Sequence, residues 1–291
     1  MRKILQITDI HLHGEYDGRF NVKEHFERIL ADTRGQDFAA VVLTGDLVDD
    51  KSEYNPIEPT VEDYTYIFDR IVDTFGADTP LLVVPGNHDN RKTLDAAYEA
   101  YLARGYTYKQ YAAIATYGGS FEEPGSKFVV LKMRNPVNGY GFEYLVGMDN
   151  AHNDVPHKAM QELLKMAPCT PEHAYYLFVH KPLIKPFHRF MNGPQYSIDE
   201  DVAKTFLLAT QGLHICGIFC GHYHCPSIDS WDRWTQYVAP SSQGQLDPFS
   251  DECVPSGNYP GYAVIDLDEQ IKAKFKFIPE SNADTEVKNA E

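Results

Sequence analysis

Five short segments carry the residue types able to do chemistry: Asp9-Ile10-His11, Gly45-Asp46, Gly86-Asn87-His88-Asp89, an isolated His180, and Gly221-His222-Tyr223-His224. They offer two carboxylates (Asp9, Asp46), the amide oxygen of Asn87 and four imidazoles (His11, His180, His222, His224). Hard oxygen mixed with borderline nitrogen suits Mn, Fe or Zn better than Ca or Mg. Seven ligands are too many for one ion with an open position. They suit two ions about 3.5–4 Å apart that share a bridging carboxylate. Asp9 and His11 are two residues apart, as are His222 and His224, so extended chain would turn each pair to one face. Gly45, Gly86 and Gly221 each precede a candidate ligand and permit the close approach a packed metal site demands.

These segments need elements to hold them. Lys3–Thr8, Ala39–Thr44 and Leu81–Val84 are apolar on both faces and read as buried strands. Between them, Val22–Arg34 and Val61–Phe75 have helical apolar spacing, the second opened by Thr60 with Asp63 three residues on. This β-α-β-α-β start is the pattern of a parallel sheet with helical crossovers. Further helices are expected at Asp95–Ala103, Pro156–Met166 and Val202–Thr210, and further strands at Phe128–Met133, Phe142–Met148, Tyr175–His180 and Ile215–Cys220. Gly261–Leu267 and Ile271–Ile278 read as an antiparallel hairpin around Asp268-Glu269-Gln270. The chemistry-bearing segments therefore sit just past the C-terminal ends of strands, the edge where open α/β sheets bind ligands. One domain over residues 1–278 is expected, with 279–291 a flexible tail.

Composition excludes several classes. The 291 residues are 43% hydrophobic and 23% charged, which is globular rather than disordered. The net charge of −16 repels nucleic acid and anionic membranes, so neither is an expected partner. No apolar run is long enough to span a membrane. Met1–Asp9 turns polar at Gln6 and does not read as a secretion signal. The five cysteines form no Cys-x-x-Cys pair, and a cytoplasmic setting with reduced thiols is expected.

In order and type, Asp9-x-His11, Gly45-Asp46, Gly86-Asn87-His88-Asp89, His180 and Gly221-His222-x-His224 resemble the motif set of the calcineurin-like metallophosphoesterase superfamily. Within it, the chain is most similar to the class III cyclic-nucleotide phosphodiesterase branch. The start Leu5-Gln6-Ile7-Thr8-Asp9-Ile10-His11-Leu12, the run Gly86-Asn87-His88-Asp89-Asn90-Arg91 and the segment Ala239-Pro240-Ser241-Ser242 carry that similarity. Val179-His180-Lys181-Pro182 departs from it, because the branch usually has consecutive histidines there. The resemblance implies an α/β fold: a layered α/β/β/α sandwich of mixed sheets flanked by helices.

It also implies roles. Asp9, His11 and His224 would bind one transition metal, Asn87, His180 and His222 a second, and Asp46 would bridge them. A hydroxide between the ions would attack phosphorus in line. His88 would protonate or stabilise the leaving oxygen. Asp89 would either orient His88 or cap the helix starting near Asn90. The expected substrate is a small phosphodiester, with cyclic nucleotide as the family-level expectation. The alternatives are a phosphomonoesterase or nuclease of the same superfamily, or a catalytically silent metal-binding scaffold. Lys181, Lys185, His188 and Arg189 form a basic loop in an acidic chain that can clamp phosphate or simply be an exposed turn. Tyrosines between Tyr98 and Tyr117 can stack a base or pack in the core.

Overall fold

The computed structural model describes residues 2–13, 21–52, 55–108, 112–123, 125–134, 141–166, 172–267 and 272–279. In chain order the strands are β1 (Lys3–Ile7), β2 (Ala40–Thr44), β3 (Leu81–Val84), β4 (Ala113–Tyr117), β5 (Phe128–Arg134), β6 (Phe142–Met148), β7 (Ala174–Phe178), β8 (Ile215–Cys220), β9 (Ser227–Trp231), β10 (Trp234–Val238), β11 (Gln245–Leu246), β12 (Pro255–Gly257), β13 (Gly261–Asp266) and β14 (Lys272–Phe277). The helices are α1 (Val22–Thr33), α2 (Val61–Phe75), α3 (Arg91–Leu102), α4 (His157–Met166) and α5 (Glu200–Ala209).

Two mixed sheets result. One runs β14-β13-β1-β2-β3, and the other β4-β5-β6-β7-β8-β10-β9. β1, β2 and β3 are parallel, as the early β-α-β-α-β pattern requires, and β13 closes on β1 antiparallel. The expected C-terminal hairpin is present as β13 and β14, while its turn at 268–270 and the tail from 280 onward lie outside the described residues.

Alternation along β6 and β7 shows why the layers stack. Leu145, Tyr176 and Phe178 join the core shared with β1–β3 and helices α1–α3, whereas Val146, Met148, Tyr175 and Leu177 face α4 and α5. A sheet buried on both faces must be apolar on both, and these strands are. Gly147 sets how closely the sheets approach: a Cβ there would lie 2.7 Å from Leu82 Cδ2 and 2.8 Å from Val84 Cγ2. The architecture is helices, sheet, sheet, helices.

Caps fix where the helices begin. Thr60 and Asp63 form a reciprocal capping box at α2. The Asn90 side chain accepts from Thr93 N, so α3 starts four residues before the Asp95 its apolar spacing marks. Asp199 similarly starts α5 ahead of Val202. The strands absent from the sequence reading are mostly edge or short ones, β4, β9, β11 and β12, together with β10, whose residues alternate buried and half-buried. Tyr98 and Tyr101 are buried and stack on each other, centroids 5.9 Å apart, so these two tyrosines pack the core.

Candidate metal centre

Past β1, β2 and β8 the chain does not stay extended. Asp9, His11, Asp46, His222 and His224 take φ values of 53°, 52°, 52°, 70° and 50°. The expectation that strand alternation aims the Asp-x-His and His-x-His pairs is therefore corrected: left-handed residues at alternate positions aim them. Each costs about 1–3 kcal/mol for a residue with a Cβ, and such outliers cluster at functional sites. Backbone pairing beyond the strand ends holds them. Asp9 N donates to Gly45 O (3.0 Å), His11 N to Asp46 O (2.9 Å) and Leu12 N to Leu47 O (3.0 Å). Ser242 N and Gln243 N then donate to Thr8 O and Asp9 O, both at 2.9 Å, so the Ser242-Gln243 turn braces the first candidate ligand.

Close approach explains the glycines. A Cβ on Gly221 would meet Thr8 Oγ1 at 1.9 Å and Asp9 Oδ2 at 2.7 Å. One on Gly86 would meet Asp46 N at 2.1 Å.

The side chains converge in three groups, Asp9 with His11 and His224, Asp46 with His180 and His222, and His11 with Asp49 and His88, the ligand atoms of each lying within 4.8 Å of one another; the first two hold the sequence-predicted ligands. Asn87 joins the second, its Oδ1 3.1 Å from His180 Nε2. Asp46 Oδ2 lies between the first two groups, 3.2 Å from His180 Nε2 and 3.7 Å from His11 Nε2. The histidine nitrogens are preset. His180 Nδ1 is 2.8 Å from Thr44 O, which leaves Nε2 as the free lone pair; His222 Nε2 is 2.8 Å from Tyr196 O, which leaves Nδ1. Asp9, Asp46 and Asp49 are all buried, a negative charge density that burial penalises unless cations answer it. The donor set therefore fits metal ions.

Electrostatics agree. Burial raises the Asp46 carboxyl, but His180, His88 and His11 outweigh it and hold it well below the usual carboxylate range. Burial alone would lower His11; Asp49 above all, with Asp46 and Asp9, pushes it up to about 10. Burial pushes Asp9 up to about 6, with Asp46 adding to the rise and His180 opposing it. His222 and His224 are depressed, first by burial and then by neighbouring imidazoles.

Asp49 is the residue sequence reasoning missed. Its Oδ1 lies 2.5 Å from His11 Nδ1 and 3.4 Å from His88 Nδ1. The His88 side chain is 42% exposed and its backbone N donates to Asp46 Oδ1. Asp89 does not cap α3, where Asn90 is the N-cap. The Asp89 oxygens accept from Leu47 N, Val48 N and Gly86 N, which ties the two ligand loops together. Arg91 pairs with Asp149 and bonds His152, anchoring the same turn. Of the basic loop, Lys181 and His188 are buried, and Arg189 faces Asp251 at 3.6 Å.

Residues 2–226 match the family profile described as calcineurin-like phosphoesterase. The chain belongs to the calcineurin-like phosphoesterase family. Members depend on metal ions, and the chain is a metal-dependent phosphoester hydrolase. This phosphoesterase is 25% identical over 252 residues to a "Probable cyclic nucleotide phosphodiesterase" of Fibrobacter succinogenes, covering 84% of the chain and 82% of the relative. It is 23% identical over 248 residues to a "Probable glycerophosphodiester phosphodiesterase GpdQ" of Arcobacter nitrofigilis, covering 83% and 70%. Among solved structures, the purple acid phosphatase PPD1 of yellow lupin superposes with a TM-score of 0.51 at 11% identity, covering 95% of the chain and 51% of that protein. GAP50, the anchor in the inner membrane complex of Plasmodium, superposes at 0.53 and 12%, covering 97% and 85%. These two likenesses speak to the fold. No helix among the described residues is long and apolar enough to cross a membrane.

Proposed function

We propose that this phosphoesterase is a phosphodiesterase that uses two transition-metal ions, Mn, Fe or Zn, on a small phosphodiester, with cyclic nucleotides the first class to test. The observation that carries the reading is the position of Asp46 Oδ2, 3.2 Å from one histidine group at His180 and 3.7 Å from the other at His11. Asp9, His11 and His224 would hold one ion, and Asn87, His180 and His222 the other, with Asp46 shared. The relatives from Fibrobacter and Arcobacter, both named as phosphodiesterases, support a diester.

When bound, such ions supply an activated water near neutral pH and neutralise charge on the phosphate. The chain's own residues do the rest. Asp49 and Thr44 O engage Nδ1 of His11 and of His180, which turns each Nε2 toward the candidate ion positions. His88, the more exposed imidazole beside the centre, has Asp49 at its Nδ1 and would be the group to meet the leaving oxygen. Its task is to give that oxygen a proton or to stabilise its charge.

Matched aromatic phosphate mono- and diesters, with a panel of cyclic nucleotides, test the substrate class. The diester is expected to turn over faster; clear preference for the monoester would move the assignment to phosphatase.

A further inference from the structure

Lys181 follows His180 directly, and its side chain is buried, with the residue 3% exposed. Its ammonium has three N–H donors. Among the described residues, one of them finds a hydrogen-bond acceptor, the neutral Oδ1 of Asn153. Asn153 is itself fixed, with φ at 57° and its Nδ2 donating to Gln195 O at 2.9 Å. The backbone is fixed as well: Asn150 Oδ1 accepts from His180 N and Lys181 N, and Asn150 Nδ2 donates to Lys181 O. The ammonium is therefore held on the His222 side of the second histidine group: Asn153, which fixes it, donates to Gln195 O, and the next carbonyl along, Tyr196 O, lies 2.8 Å from His222 Nε2. The neighbouring cation, Arg91, is already answered by the buried Asp149. No carboxylate among the described residues forms an ion pair with Lys181.

A buried cation with one neutral acceptor is unfavourable unless something else completes its shell. Loading the centre with cations makes its surroundings more positive, and an anion brought there would answer both the metal charge and the ammonium. A phosphoryl oxygen that faces away from the metals meets both needs, and lysine binds phosphate as a point charge.

We propose that Lys181 is a substrate-binding residue that donates to a non-bridging oxygen of the scissile phosphate at the Asn87–His180–His222 end of the centre. This rests on the reading of that centre given above. Lysine at this position makes the site more cationic than a histidine would, and it favours the anionic phosphoryl group itself over the organic part of the substrate.

The test uses the metal-loaded protein and K181Q and K181M, with inorganic phosphate as the probe. Metal content is measured by elemental analysis, phosphate affinity by calorimetry, and kcat and KM on an aromatic diester. The expected result is unchanged metal content, phosphate affinity weaker by about ten-fold or more, and KM raised more than kcat is lowered. Unchanged phosphate affinity with metals retained would overturn the inference and leave the metal centre standing. Loss of metals in both variants would also overturn it, because Lys181 would then support the centre rather than the substrate. Wild-type protein that takes up no metal would sink the reading of the centre itself.

Discussion

The carboxylate of Asp49 lies 2.5 Å from Nδ1 of His11. That contact dictates which imidazole nitrogen is free to face Asp9, Asp46 and His224, and the same oxygen lies 3.4 Å from His88. One buried acid thus aligns a candidate ligand and a candidate proton donor. Removing its charge while keeping its shape, as in Asp49→Asn, is expected to weaken metal affinity by about 10–100-fold. A metal titration of the apo protein checks this; affinity equal to wild type would mean that His11 is held by packing alone.

His88 stands outside the Asp9–His11–His224 and Asp46–His180–His222 groups and clusters instead with His11 and Asp49. Its replacement by alanine is expected to leave metal stoichiometry intact and to cut turnover of a diester with a poor leaving group by about 10²–10⁴-fold. The loss should shrink with a good leaving group, which needs no proton. Equal losses on both substrates would remove His88 from leaving-group chemistry.

Asp89 accepts from three buried backbone amides, two in the Asp46 loop and one at Gly86. Asp89→Asn exchanges an acceptor oxygen for a donor, so at least one amide loses its partner. The expected effect is a loss of about 1–3 kcal/mol in chemical denaturation. Unchanged stability with a shifted pH profile would return Asp89 to the role of orienting His88.

Much of this centre is legible in the chain, because ligands placed at strand ends leave compact motifs flanked by glycine. What the motifs hide is backbone conformation. The left-handed φ values at Asp9, His11, Asp46, His222 and His224 arise from pairing between loops far apart in sequence. Asp49 was missed for the same reason. It stands beside Asp50 in an acidic turn, and only the parallel bridge between Leu12 and Val48, with Asp49 N donating to Leu12 O, selects it over its neighbour. Asp50 instead meets Asn90 and the amide of Lys51. The core strands were legible because burial on both faces forces an apolar run. β4 and β9 lie at sheet edges, one face or margin being wet, and so carry mixed residues such as Ser227-Ile228-Asp229-Ser230-Trp231.

Metal uptake should be coupled to protons. In the metal-free site, burial raises Asp9 to about 6, and Asp49 with the other carboxylates raises His11 to about 10. Below those values the groups hold protons that a metal must displace. Uptake is therefore expected to release protons at neutral pH and to weaken as pH falls through 6, where Asp9 also becomes protonated. A weakly buffered solution should acidify on addition of Mn. No acidification would mean that the ligands are already unprotonated and that the carboxylates do not shape the site's affinity.

The central claim is that side chains from Asp9 to His224 enclose two ions with Asp46 between them. Elemental analysis of protein purified and then reloaded with Mn, Fe or Zn tests it most directly, beside Asp46→Ala. The account predicts about two metal equivalents per wild-type chain and fewer than one in the variant. One equivalent or none in the wild type, or two retained without Asp46, would contradict it.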